Sequence, residues 1–510
     1  MKPNTNSTAS EVLPVCTAAG FAQWDRFTME QEPISSIDLM DRACAAFLEA
    51  FLKRFPDRNQ SIVLIAGKGN NGGDALGIAR LLVIHDYDSV MLVCENPGTT
   101  SVSADYVQNF KRLPRVESLK VFYWNENWQA AIPSGSVLID GLLGTGFRPP
   151  LAGQLVARLQ ILQPICWKRI VAIDVPSGLD ADAIQGNSPA LAAHETFTFG
   201  QLKRSFLFQE NARFTGDVTL LDIGLHPDFR PDTSEYFISE KWVASQLSIG
   251  NAFAHKYQFG LCSVIAGSDT FPGAALLASM GCYRSGAGLV EVICSNDLQM
   301  NWLSSVPEVI PRRLNAWTPV DKATSVLYGP GIVREAFPSS FLPGVLELLS
   351  HVPWVIDAEG INEFLDRKLK FPDITVITPH AGEFDRIAGP SANAEERLQR
   401  ALDFAGKFNV IVVMKGKYSR VVFPDGKVFF NTSGNVSLAK GGSGDVLAGI
   451  LCGLLAQGYS AQQAVLCGVY LHGLSADILC RTHYIRSIQP SEVALGLSDA
   501  FLYLQKLNAL

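Results

Sequence analysis

Three glycines in four positions, Gly441, Gly442 and Gly444, stand just ahead of the apolar run Val446-Leu447-Ala448-Gly449-Ile450-Leu451. A fold that holds this stretch must let its backbone come close to a partner at 441–445 and must bury the segment behind it as a helix. Free amides at such a helix start, with the positive end of its dipole, form an anion site in which Asp445 can take a proton from a substrate hydroxyl. Ser443 or Asp445 can equally serve as plain helix caps. The stretch by itself supports both readings.

At 510 residues the chain exceeds one ordinary core, so at least two domains are expected. With 47% hydrophobic and 18% charged residues it has the makeup of a soluble globular protein. A net charge of −7 offers no footprint for nucleic acid. Ten cysteines without a CxxC pair, several inside apolar stretches, point to reduced thiols in a cytoplasmic protein and away from zinc or disulfides. The first twenty residues lack an apolar signal core, and the run from Val446 meets Gln457 after eleven residues, too few to span a membrane.

In chain order, residues 34–55 carry apolar positions at helical spacing. Ser61 to Ala66 reads as a buried strand, Gly67-Lys68-Gly69-Asn70-Asn71-Gly72-Gly73-Asp74 as a loop and Ala75 to Val83 as a helix. Gly67, Gly69 and Gly72 satisfy GxGxxG, with Glu95 placed like a ribose-binding acid, but that spacing alone is weak evidence. Two further strands, 136–140 and 169–174, end in Asp140 and Asp174 and run into Gly141 to Pro150 and Val175 to Asp180. In an open parallel sheet these ends line one crevice, so Asn71, Asp140, Asp174 and Ser177 are expected to converge there. Their oxygens suit a hard cation; Arg148 with the amides of Gly144 and Gly146 suits a phosphate. A single Asp would more simply cap a helix; three such loops at one edge favour a site.

The proline-bearing stretch from His226 opens an expected linker, 226–251, between domains at 1–225 and 252–510. Beyond it, strand-like segments near 261–266, 325–328, 354–356, 375–377 and 411–414 alternate with loops and helices, again three-layer α/β.

The series GxGNNGGD, DGLLGTGFRPP and AIDVPSGLDAD resembles the YjeF N-terminal, NAD(P)H-hydrate epimerase family, from about Thr17 through Gly224 and including Lys203. The resemblance implies a Rossmann-like domain. It places the hydrated dinucleotide on Asn70, Asn71, Gly72, Gly73, Asp74, Gly144, Thr145, Gly146, Phe147, Arg148, Pro149, Pro150 and the catalytic Asp174, and a potassium ion on Asn71, Asp140 and Ser177. Ala75-Leu76-Gly77 departs from the family, which usually has another glycine after the acid.

From about Phe253 to Leu504 the chain resembles the ADP-dependent NAD(P)H-hydrate dehydratases, which are ribokinase-like. That likeness implies ADP with magnesium on Lys415, Gly416, Lys417, Tyr418, Ser419 and Gly444. It implies the S hydrate on Ala274, Gly331, His380 and the catalytic Asp445. The family is thought to phosphorylate the C6 hydroxyl, after which the ring nitrogen expels phosphate. His380 reads as a binding or structural residue, Glu383 as a cap before a magnesium ligand, and Lys440 as a phosphate ligand or a solvated side chain. Glu359 stands where the family usually has a second Asp.

The expected whole is a cytoplasmic, bifunctional repair enzyme, a homo-oligomer acting on NADHX, NADPHX and ADP with no nucleic-acid or membrane partner. A ribokinase-class kinase fused to a nucleotide-binding domain and a non-enzymatic scaffold are the alternatives.

Overall fold

The computed structural model describes residues 12–508 except 152, 249, 295–305 and 315–321; the first eleven residues, counted with the first domain above, lie outside the described ones. The chain divides into two compact units. One is Val15–Thr233; the other joins the residues before Val15 to those from Ser234 onward.

In the Val15–Thr233 unit, seven parallel strands lie in the order Leu119–Tyr123, Val90–Cys94, Ile62–Ala66, Val137–Gly141, Arg169–Ile173, Glu195–Phe199, Asp217–Leu221. Strand Ile62–Ala66 is apolar throughout because both its faces are covered. Leu64 packs with Phe47, Phe51 and Leu76 on one side, while Val63 and Ile65 pack with Leu138, Leu159 and Trp167 on the other. Strand order reverses between Ile62–Ala66 and Val137–Gly141, so the crevice forms at their carboxyl ends. The helix after the first strand runs Asn70–Ile84. This corrects the loop expected over 67–74: Asn70 to Asp74 are its first turns, and Gly69 stands at its cap.

The larger unit holds eleven strands among the described residues. Ile411–Met414, Thr375–Ile377, Trp354–Ile356, Ser325–Tyr328, Leu261–Ile265, Leu289–Cys294 and Ile310–Arg313 are parallel neighbours in that order. Arg420–Val422 and Val428–Phe430 continue the sheet antiparallel. Helix Ser443–Ala456 is buried along its length from Val446, as its apolar run requires. It lies tight against Pro272–Arg284, where a Cβ on Gly449 would fall 2.0 Å from the Ala278 carbonyl oxygen.

The expected linker over 226–251 is corrected. It contains the strand Glu235–Phe237, parallel to Val428–Phe430, and the helix Glu240–Gln246, whose Trp242 and Val243 enter the larger core. Leu13–Pro14 pairs antiparallel with that same strand, so residues counted with the first domain belong to the second sheet. No disulfide occurs among the described residues; Cys262, Cys282 and Cys452, far apart in sequence, meet in the core with sulfurs within 4.8 Å of one another.

Candidate active sites

The Val15–Thr233 unit encloses a cavity of about 790 Å³ at the carboxyl ends of its strands. Backbone crowding makes it: a Cβ on Gly67 would fall 1.9 Å from the Leu142 carbonyl oxygen, and one on Gly72 1.8 Å from that of Gly67. Asn70, Asn71, Asp74, Gly144, Thr145, Gly146, Phe147, Arg148 and Asp174 line it, as the sequence placed them; Gly72, Gly73, Pro149 and Pro150 form the turns around it without lining it. Arg148 is folded onto its own loop, donating to the carbonyls of Thr145 and Phe147 at 3.0 and 2.8 Å. Glu95 pairs with Arg158 at 2.5 Å, an engagement that the ribose-binding reading did not anticipate.

Asp174 follows its strand with φ +62°, a left-handed conformation uncommon outside glycine. There its Oδ1 accepts from the Phe199 amide at 3.0 Å and from Thr198 Oγ1 at 3.1 Å, and meets Lys203 Nζ at 2.7 Å. The Lys203 ammonium is buried over the Phe21 ring. Asp25, on helix Ala18–Gln31, lines the same cavity. Burial, with the Asp174 charge adding and Lys203 opposing, pushes the Asp25 carboxyl up to about 6. Burial also holds Asp74 well above the carboxylate range.

Asn71, Asp140 and Ser177 converge below the cavity. Asp140 is fully buried and accepts from Ser177 Oγ at 2.6 Å and from the amides of Ser177 and Leu142 at 2.8 and 3.2 Å. Burial raises its pKa against those hydrogen bonds. It has no ion-pair partner among the described residues, and a buried carboxylate without a counter-charge fits a cation. Asn71 spends its amide on the carbonyls of Leu143 and Ile173 at 2.7 and 3.2 Å, which leaves its oxygen as a donor to such an ion. This all-oxygen set suits a hard cation.

In the larger unit, a cavity of about 920 Å³ is lined by Ala274, Gly331 and Asp445 together with Arg334, Glu359 and Arg386. Helix Ser443–Ala456 starts from Gly442 at φ +97°, with Asp445 in its first turn. Burial pushes Asp445 up to about 7, with Asp357 adding and Lys415 opposing. Lys415 Nζ meets Asp357 Oδ1 at 3.0 Å and Glu383 Oε2 at 3.9 Å. Burial works against its charge, but the two carboxylates outweigh it and hold its pKa above the usual lysine value. Thr378 Oγ1 also donates to Asp357 Oδ1, at 2.7 Å. Both contacts fall on one oxygen, so Oδ2, toward Gly444, is available to a divalent ion carried by a diphosphate. A Cβ at Gly444 would stand 3.1 Å from the Lys415 ammonium, so the glycine keeps room for that charge beside the helix start.

Gly416, Lys417, Tyr418 and Ser419 follow Lys415 in the turn that leads to Arg420–Val422; Ser419 Oγ donates to the Gly416 carbonyl at 3.2 Å and Lys417 stands over the Tyr418 ring. His380 pairs by its backbone with Lys415, and its Nδ1 accepts from the amides of Gly382 and Glu383, at 3.1 and 3.3 Å, capping helix Ala381–Ala388. Glu383 reciprocates by accepting from the His380 amide at 2.8 Å while it also faces Lys415. The half-exposed Lys440 donates from its ammonium to the carbonyls of Arg486 and Ile488. Glu359 pairs with Arg334 and accepts from Asn362 at 2.9 Å.

Sequence reasoning gave no role to Asp25, Lys203, Asp357 or His472. Lys203 and Asp357 had a signal, a place in the matched stretch and a place at a strand end. His472, whose pKa burial lowers to about 4, is a neutral base beside Lys415 and Ser443; its Nε2 and Ser443 Oγ are buried with no hydrogen-bond partner.

Residues 36–205 match the family model described as YjeF-related protein N-terminus, and residues 262–497 match that described as NAD(P)H-hydrate dehydratase. The bifunctional NAD(P)H-hydrate repair enzyme of Thermosynechococcus vestitus is 32% identical over 437 residues, 81% of this chain and 83% of that one. The enzyme of the same name from Moorella thermoacetica is 29% identical over 505 residues, 94% of each chain. The chain belongs to the bifunctional NAD(P)H-hydrate repair enzyme family. A solved Bacillus subtilis ADP/ATP-dependent NAD(P)H-hydrate dehydratase, co-crystallised with ATP and Mg²⁺, aligns at 31% identity and a TM-score of 0.47 over 52% of this chain and 98% of that one. Both halves of the family's namesake pair therefore fall on separate sheets here, each with its own crevice. No described helix is long and apolar enough to cross a membrane.

Proposed function

We propose that the Val15–Thr233 cavity interconverts the R and S hydrates of NADH and NADPH, and that the larger unit dehydrates the S form with ADP, giving AMP and phosphate. The observation that carries this is Asp445, an acid tuned to about 7 in the first turn of a glycine-fronted helix, with Lys415 beside it. Asp445 takes the proton of the C6 hydroxyl as that oxygen attacks the terminal phosphorus of ADP. The amides at the helix start and the Lys415 ammonium hold the phosphate charge, and the buried, unpartnered Ser443 Oγ is a further donor to it. The ring nitrogen then expels phosphate, and loss of a C5 proton restores the dihydropyridine.

In the epimerase cavity the dinucleotide lies along Asn70 to Asp74 and Gly144 to Pro150, with Asp174 toward the ring. Potassium would be held by Asn71, Asp140 and Ser177, where it supplies the counter-charge Asp140 lacks. Magnesium would enter with the diphosphate beside Asp357, where it supplies charge neutralisation. In the dehydratase site Ala274 and Gly331 line the hydrate's side, and Lys415 to Ser419 with Gly444 the nucleotide's. We place the protein in a reducing, cytoplasmic setting, a reading supported by nine unpaired described cysteines. A homo-oligomer is the assembly to be tested by mass photometry.

The test is recovery of NADH absorbance when the chain meets mixed R and S hydrate with potassium, magnesium and ADP. Complete recovery is expected. Recovery that stalls with only the R form left would remove the epimerase assignment, and a phosphorylated product that accumulates would turn the second unit into a kinase.

A further inference from the structure

Four carboxyls line the epimerase cavity: Glu95 pairs with Arg158, and Asp25, Asp74 and Asp174 share one buried ammonium, Lys203. One positive charge neutralises one of them, and the geometry shows which. Asp174 is the partner of Lys203 and is also held by the Phe199 amide and Thr198 Oγ1. It is therefore ion-paired and fixed in place, suited to facing a developing positive charge. Asp74 sits deep within helix Asn70–Ile84, where burial pushes its carboxyl well above the ordinary value. Asp25 makes no hydrogen bond or ion pair with the described residues, is only partly buried, and opens onto the cavity.

The helix that carries Asp25 is pinned at two points, so the carboxyl is held over the cavity without being engaged. The Ala18 amide donates to Asp182 Oδ1 at 2.7 Å, and Trp24 Nε1 donates to the His226 carbonyl at 2.8 Å. We propose that Asp25 is the catalytic acid–base of the epimerisation, giving a proton to the C6 hydroxyl of the hydrate and taking one back from the water that returns. This rests on the assignment of the cavity to epimerisation given above.

The step balances. Protonated Asp25 donates to the hydroxyl oxygen; the C6–O bond breaks with its electrons going to oxygen, and water leaves as the ring-nitrogen lone pair forms C6=N⁺. Ion-paired Asp174 faces that cation. Water adds to the opposite face of C6, and the Asp25 carboxylate accepts the proton released, which restores the starting acid. Nothing is oxidised or reduced, and one water leaves and one returns.

Facing Asp25 are Asp174, whose charge favours its proton, Lys203, which opposes it, Asp74 across the cavity, and Cys16, whose own thiol burial pushes up to about 12. Since the free enzyme must start protonated at Asp25, kcat/KM for the R hydrate should fall as pH rises through about 6. In the full chain, Asp25→Asn, which changes one uncontacted atom, is expected to slow R-hydrate turnover by roughly 100-fold or more. ADP-dependent turnover of the S hydrate should be unchanged. Asp25→Glu should restore part of the rate together with the pH limb. An Asp25→Asn rate within a few-fold of the unsubstituted chain, or a limb that persists in that variant, overturns the proposal. If Asp25→Asn is near normal while Asp174→Asn is inactive, Asp25 alone is wrong; if neither slows the reaction, the cavity assignment fails as well.

Discussion

Each crevice holds a lysine ion-paired to a carboxylate at the end of a parallel strand, Lys203 with Asp174 at 2.7 Å and Lys415 with Asp357 at 3.0 Å. Each also holds a second acid raised by burial, Asp25 to about 6 and Asp445 to about 7. The surroundings differ. Lys203 is spent inward, on Asp174 and the Phe199 carbonyl, and Asp25 arrives on a separate helix. Lys415 abuts Gly444 at the start of the very helix that carries Asp445, so its charge and that helix's free amides share one anion site. An ion pair and a tuned acid are enough for moving a proton to and from a hydroxyl. Adding an anion cradle to the same pair fits the phosphoryl chemistry proposed for the second site.

The sharpest way to break this comparison is Asp445→Asn. Dehydration of the S hydrate should fall by roughly 10²–10⁴-fold while R-to-S conversion continues, read by absorbance and by chromatography of the two hydrates. Retained dehydration would leave the second site without its base.

Lys203→Met removes the cation paired with Asp174, the only one among the described residues, and leaves a buried charge unpaired. About 3–5 kcal/mol of stability should be lost from the Val15–Thr233 unit, seen as an earlier melting step, with epimerisation gone. An unshifted melt would show that the pair contributes little.

Dehydration by the unsubstituted chain should rise with pH through about 7, since Asp445 acts as its carboxylate. The same raised pKa has a stability sign. Between about 4 and 7 the folded state keeps a proton that the unfolded state has lost, so the group's contribution becomes less favourable as pH rises. Asp445→Asn should therefore melt higher than the parent at pH 8 and alike below about pH 4. A flat difference would contradict the burial of that acid.

The smallest effect is expected from Glu359→Asp, which draws the carboxyl back from Arg334. The pair is partly solvated, 28% and 37% exposed, so the change should stay under about 1 kcal/mol and within a few-fold of normal turnover. A large loss would promote Glu359 from wall to ligand.

The buried central strands were legible because parallel sheets covered on both faces write themselves as continuous apolar runs, as in Ile62–Ala66 and Ile411–Met414. The loops at their ends announced Asn71, Asp140, Asp174 and Asp445. Leu13–Pro14 and Glu235–Phe237, two and three residues long, carry too little pattern to be seen, and for that reason a linker was expected where a strand and a helix lie. Asp25 is invisible for a different cause: it sits on a helix outside the strand-loop units, and only three-dimensional proximity to Lys203 marks it. His380, which its loop position marked as a binding or structural residue, uses one ring nitrogen on the amides of Gly382 and Glu383.

Leu13–Pro14 bonds to Glu235–Phe237 across the whole span of the Val15–Thr233 unit. During synthesis the first of these strands leaves the ribosome before that unit and its partner leaves after it. The host sheet thus cannot close its edge until the guest has been made, and the guest is free to fold first. A gene cut between the two units would leave the second fragment without Leu13–Pro14, the edge strand of its own sheet.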